Sequence, residues 1–260
     1  MSGRLFAADD WGFSPAINDG VLRLAREGWL ASVSCAANTK FLNHGLEELL
    51  SHGQSGVKFS LHLNFTYGRP LLGAAAVPSL CERDQFVSHR ELMRRSWRGH
   101  LDPAEITAEF RAQLKCLREA GIPVTSVDGH HHIHLLPAIA RVLVDVLPEE
   151  GLREIRVLND RAHLPSWLQT QYFKLRLARA NPKLNLTECH YLRPRHLRAK
   201  ARFARKLARS AGHPLLVHPA LENDFQASGM TDGLRDYRVH ELKTILNYMT
   251  DVASPVTSKF

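Results

Sequence analysis

Short apolar runs alternate with helix-spaced stretches along most of this 260-residue chain, and several of the runs end on acids or histidines. Leu5–Ala8 runs into Asp9-Asp10. Ser14-Pro15 then supplies an N-cap and a first-turn proline, and Ile17, Val21 and Leu24 continue at helical spacing to Gly28, a natural stop. Leu30–Ala36 reads as the second strand and Leu42–Leu50 as the second helix. Val57–Phe65 alternates with period two, which puts Lys58, Ser60, His62 and Asn64 on one face. Asp102-Pro103 opens a helix with Ile106, Phe110, Leu114 and Leu117 as its apolar face, and Gly121 ends it. Val124–Val127 is the next strand, followed by a helix from Pro137 to Leu147. Ile155–Leu158 and Leu215–His218 read as the last strands, Arg195–Ala211 and Val239–Met249 as the last helices. Strand alternating with helix calls for a parallel sheet with βαβ connections, and an α/β barrel of this length is one domain, residues 1–260. Residues 67–101, weakly periodic and interrupted by Gly and Pro, are expected to be a loop or lid.

In a parallel barrel the strand ends gather on one face, where such folds build their sites. That brings Asp9-Asp10, His62, His130 and His218 together from separate segments. The densest segment, Ser126–Pro137, holds His130, His131, His132 and His134. Imidazole suits divalent first-row metals, and a run of imidazoles after an apolar strand is costly to bury unless something binds it. Two neutral imidazoles with one carboxylate leave a coordination position open for water, the usual layout of a hydrolytic metal. Coordination brings the pKa of bound water toward about 7, so a neighbouring carboxylate suffices as base. A later histidine such as His218 can protonate the leaving group. Adjacent aspartates on an extended strand point opposite ways, so one serves as ligand and the other holds the water's proton. An acid pair alone also suits a solvated turn, and His62 alone suits a packed core. The histidine run at a strand-to-helix junction is what singles out metal binding.

Composition excludes several classes. At 44% hydrophobic and 23% charged the chain is ordinary for a globular protein. No run approaches the roughly 18 to 20 apolar residues that span a bilayer. The N-terminus meets its first acids too soon for a signal peptide. Cysteines 35, 81, 116 and 189 match no CxxC spacing, which argues against a zinc ribbon or a disulfide framework and for a reducing, cytoplasmic compartment. The net charge of +8 is local: residues 174–209 hold twelve Lys or Arg against one acid, Glu188, which leaves −3 for the remainder. A basic segment on a mildly acidic body attracts phosphates or anionic headgroups, at the inner membrane surface for example. Nucleic acid is disfavoured, because the segment has no aromatic interleaving beyond Phe203 and no binding fingerprint.

Taken together, Ala8-Asp9-Asp10-Trp11-Gly12 with Ser14, Leu61-His62-Leu63-Asn64, Asp128-Gly129-His130-His131-His132-Ile133-His134 and His218-Pro219-Ala220 resemble, in order, the motifs of the YdjC-like carbohydrate deacetylase family. That family includes chitooligosaccharide deacetylases and hopanoid-associated relatives. The resemblance implies a distorted (β/α) TIM-like barrel, one divalent metal ion such as magnesium or zinc, and removal of N-acetyl groups from amino sugars. It implies Asp10, His62 and His130 as metal ligands, Asp9 as base and His218 as general acid. Arg156 sits where relatives often place an arginine near the base, and Arg156, His132, His134 and Asn64 are expected to contact substrate. Trp11 stands for the commoner Phe and Ser60 for the commoner Gly, and residues 160–212 fit the family least. An acetylated sugar that is lipid-linked or phosphate-bearing would reconcile the site with the basic segment. A phosphoester hydrolase and a catalytically silent sugar- or lipid-binding barrel are the competing readings. The acid pair speaks against the silent barrel, since binding needs no base beside a ligand.

Overall fold

Seven parallel strands close into a barrel in the computed structural model, which describes residues 4–158, 168, 170–171, 184–210, 212–222 and 235–253. The chain runs through β1 (Phe6–Trp11), β2 (Leu30–Cys35) and β3 (Lys58–Leu63). A short antiparallel hairpin follows, of β4 (Cys81–Glu82) and β5 (Gln85–Phe86), which stays outside the barrel. The wall resumes with β6 (Val124–Gly129), β7 (Glu154–Leu158), β8 (Asn185–Tyr191) and β9 (Leu215–Val217). β9 closes on β1, with Phe6 opposite Leu215 and Ala8 opposite Val217. The described helices are α1 (Pro15–Arg26), α2 (Leu46–Gln54), α3 (His89–Arg98), α4 (Pro103–Glu119), α5 (Pro137–Glu149), α6 (Pro194–Leu197), α7 (Lys200–Arg209) and α8 (Arg235–Ala253). The expected parallel α/β barrel is therefore the fold.

The helices form where caps and apolar stripes coincide. Ser14 Oγ accepts the Ile17 N–H at the start of α1, and Asp102 does the same for Ala104 at the start of α4. The α4 stripe of Ile106, Phe110, Leu114 and Leu117 is buried to 1% exposure or less. Each such side chain contributes about 1.5–3 kcal/mol relative to exposure. Inside the barrel, Ala7, Leu158, Cys189 and Leu216 pack one sector. The opposite sector is polar. Near the strand starts Ser60 and Ser126 share a hydrogen bond, and Lys58 reaches Glu154 at 3.3 Å. Hydroxyls fill less space than the branched residues that usually plug such barrels, and a cavity of about 380 Å³ lies beneath Arg156.

Several boundaries differ from the sequence reading. Residues 67–101 are not simply loop, because they fold into the β4–β5 hairpin and α3. Ser88 caps α3 through the Glu91 N–H, and left-handed Gly99 stops it. With only Leu92 and Ser96 buried, α3 is too polar to announce itself by periodicity. α2 starts at Leu46 rather than Leu42, because Trp11 and Asn18 hold the carbonyls of Leu42, Phe41 and His44 in a preceding turn. The single helix expected from Arg195 to Ala211 is divided by an extended Ala199. β8, absent from the sequence reading, completes the barrel. Residues 174–183 of the basic segment lie outside the described residues.

Candidate active site

β1 carries the adjacent carboxylates, and a bulge decides where they go. Ala8 pairs with Val33 and Trp11 with Cys35, so two residues of β1 oppose one of β2. Asp10 sits at φ 69°, in the left-handed region that side chains disfavour. Asp9 and Asp10 consequently both turn into the barrel, each 1% exposed. This corrects the expectation that neighbouring aspartates must point apart.

Asp10 Oδ1 lies 3.0 Å from His62 Nε2, at the end of β3, and 3.0 Å from His130 Nδ1, just after β6. One ligand-type atom from each of the three falls within 4.8 Å of the others. The other nitrogen of His62, Nδ1, is 2.6 Å from Asp128 Oδ1, the carboxylate–imidazole pairing that orients metal-binding histidines. Asp128 Oδ2 accepts the Ser34 hydroxyl and lies 3.3 Å from Arg156 Nη1. Asp9, His62 and Asp128 form a second trio within 4.8 Å, but a guanidinium already serves it: Arg156 clasps both oxygens of Asp9 at 2.6 Å each. A second arginine, Arg238 from α8, approaches Asp10 Oδ2 at 2.7 Å.

The charges interlock. Burial alone would raise the Asp9 pKa, yet Arg156 and His62 hold it far below the usual carboxylate range. Burial likewise opposes ionisation of Asp10, and Arg238 and His130 prevail. Burial would lower the pKa of His62, but Asp9, Asp10 and Asp128 raise it to about 10. For His218 burial wins and pushes the imidazole down to about 4, with Asp10, Arg238, Asp9 and His62 all near enough to act on it. Its backbone N–H donates to Glu241 Oε2 at 2.6 Å.

Asp9, Asp10, His62, His130 and Arg156 thus converge at one end of the barrel, with His218 beside them. The chain turns sharply after His130: His131 and His132 take φ values of 53° and 56°. These consecutive left-handed residues send His131 to the rim, where Nδ1 meets Thr66 Oγ1 at 3.1 Å, and His132 to the Tyr191 hydroxyl. Two of the expected substrate contacts, His134 and Asn64, are engaged within the protein. His134 is 1% exposed and donates from Nε2 to the Arg156 carbonyl at 2.9 Å, so it braces β7. Asn64 is fully buried, its amide nitrogen engaging Tyr67 O and Asn38 Oδ1 and its oxygen accepting from Thr66 N and Tyr67 N. Its donors are used up, which leaves none for a sugar hydroxyl.

Sequence reasoning missed Asp128, Arg238 and Glu241 as parts of the site. Asp128 heads the histidine motif. Arg238 and Glu241 fall on the same helical stripe as the buried Leu242, Ile245 and Met249, and charges on an apolar stripe are the signal that points to them.

A parallel α/β barrel with two imidazoles, a shared carboxylate oxygen and an arginine-clasped second carboxylate at one end defines a class: barrels whose strand ends gather a buried His/Asp cluster able to hold a metal ion. The chain belongs to the YdjC-like protein family, whose profile matches residues 5–250. It is 27% identical over 220 residues to a carbohydrate deacetylase of Vibrio cholerae serotype O1 (strain M66-2), covering 84% of this chain and 80% of that one. It is 34% identical over 145 residues to a carbohydrate deacetylase of Brevibacillus brevis, covering 55% and 54% of the two chains. It is 32% identical over 146 residues to a chitooligosaccharide deacetylase of Yersinia pestis (strain Pestoides F), covering 56% and 55%. The matched stretch spans about half the length of these last two relatives. A solved structure of a proposed cellobiose-phosphate cleavage protein from Enterococcus faecalis V583 aligns with a TM-score of 0.71 at 17% identity, over 95% of this chain and 94% of that one, a likeness of fold.

Proposed function

We propose that this protein is a metal-dependent carbohydrate deacetylase that hydrolyses the amide of an N-acetylated amino sugar and releases acetate. The observation that carries the proposal is the Asp10 carboxylate oxygen shared at 3.0 Å by His62 and His130, with Asp9 on the adjacent residue. The names of the relatives supply the bond class. The donor set fits a divalent ion, since two imidazoles and a carboxylate suit zinc and also accept ions such as magnesium. Bound there, such an ion would acidify water and polarise the amide carbonyl.

The chain's own residues supply the rest. Asp128 holds His62 by Nδ1 and leaves Nε2 facing Asp10. Arg156 keeps Asp9 ionised and oriented, and each Asp9 oxygen retains a lone pair able to take a proton from the attacking water. His218, neutral at rest, receives a proton during turnover and delivers one to the departing nitrogen. One water and one amide become acetate and a protonated amine. Asp10→Ala, His62→Ala and His130→Ala should each abolish bound metal and acetate release from an N-acetylated oligosaccharide. Normal turnover in any two would overturn the proposal.

The exposed basic strip supports an anionic setting for the sugar. Arg195, Arg198, Arg202, Arg205 and Arg209 are exposed along α6 and α7, while Phe203 and Leu207 pack inward. Contact with an anionic bilayer carrying a lipid-linked substrate would therefore be electrostatic, at about 1 kcal/mol per basic residue near the surface. No described helix is long and apolar enough to cross a membrane. Retention on phosphatidylglycerol vesicles should fall with salt and with paired Arg202→Glu and Arg205→Glu changes. Equal retention on neutral vesicles would refute this part.

A further inference from the structure

A carboxylate ligand can rotate, and in this site something must decide which of its oxygens faces the imidazoles. Asp9 has no such freedom, because Arg156 takes both oxygens at 2.6 Å. Asp10 is held differently. Arg238 Nη2 lies 2.7 Å from Oδ2, and Oδ1 faces His62 and His130. Both partners are 1% exposed, so the pairing is shielded from water. Arg238 comes from α8, the last described helix, far in sequence from every residue of the histidine and aspartate motifs. One turn further along, Glu241 Oε2 accepts the His218 backbone N–H at 2.6 Å, and the Tyr237 hydroxyl reaches Glu241 Oε1 at 2.9 Å. A single helix thus touches the proposed ligand carboxylate through one side chain and the segment bearing His218 through another.

We infer that Arg238 is a positioning residue for the cation site: it fixes the Asp10 carboxylate so that one oxygen is presented to the cation, and Glu241 on the same helix sets the height of His218. The inference rests on the metal-site reading above and adds α8 to it. Partners that orient a ligand typically carry 10- to 100-fold in metal affinity. A guanidinium acting only as a counter-charge predicts the opposite sign, because its removal would leave a more negative site that binds a cation more tightly.

The full-length chain, stripped with chelator, is titrated with zinc alone, alongside Arg238→Gln, Arg238→Lys and Glu241→Gln, with circular dichroism and thermal unfolding of each metal-free protein. The expected result is zinc binding weakened about 10- to 100-fold in Arg238→Gln, partly restored in Arg238→Lys, and kept within about threefold of the parent in Glu241→Gln, whose kcat falls instead. Folded Arg238→Gln with unchanged or tighter zinc binding overturns the inference. Arg238→Lys keeps the buried charge and carries the test if the glutamine variant does not fold: parental affinity in it would leave the guanidinium geometry no role. A parent protein that binds neither zinc nor, in a parallel titration, magnesium would instead overturn the metal reading itself.

Discussion

Cation uptake by the metal-free protein should expel a proton. The His62 nitrogen facing Asp10 Oδ1 is 3.0 Å away, a distance that requires a hydrogen between them when no cation is bound. Burial works against that charge, but three carboxylates prevail and the ring's pKa stands at about 10. At pH 7 the ring is therefore held in its protonated form. A cation must displace the proton, so the logarithm of apparent affinity should rise by about one for each pH unit above 7 and level off as pH passes through about 10. The same shift sets the sign of stability. His62's contribution to the metal-free fold is complete below its unfolded value of 6.5 and is lost as pH rises through about 10. Calorimetric titration at pH 7 in buffers of different ionisation enthalpy reads the proton directly, as a slope close to one proton released per cation. A slope near zero, with affinity flat between pH 6.5 and 8.5, would refute the reasoning.

Other consequences are as concrete. Asp128→Asn should weaken zinc binding about 10- to 100-fold by equilibrium dialysis, because His62 loses its anionic partner; parental affinity would count against that pairing. Asn64→Ala removes bonds to Thr66, Tyr67 and Asn38 and should cost about 2–4 kcal/mol in urea unfolding, at roughly 1 kcal/mol per net bond, with zinc affinity retained. A loss under about 1 kcal/mol would reopen a ligand-facing role for it. Gly20→Ala places a Cβ 2.7 Å from the Ala220 backbone, where α1 leans on the segment after His218. It should lower kcat more than cation affinity, and a parental kcat would mean that His218 tolerates displacement.

The barrel was legible because its strands carry their functional residues at their ends, so that periodicity and chemistry mark the same positions. His62 shows both signals, on a strict two-residue alternation and in a Leu-His-Leu-Asn context. β8 was not legible because Asn185, Leu186, Thr187 and Glu188 give neither alternation nor an apolar run, and the barrel interior beside them is itself polar. Asn64 shares the polar face of His62 in sequence, yet lies one residue beyond the end of β3, where the chain turns and consumes its side chain. The arginines were hidden for another reason. A guanidinium acts six bonds from its backbone, so Arg238 can serve β1 from a helix at the other end of the chain.

The extra residue in β1 also limits how this site can be moved. On a regular strand, neighbouring side chains belong to opposite faces, and no choice of register would put Asp9 and Asp10 on the same one. Grafting Asp-Asp onto an ordinary barrel strand would deliver one acid to the interior and bury the other against the helical layer without a partner. The transferable unit is the irregular backbone itself, with the guanidinium that each of its carboxylates meets.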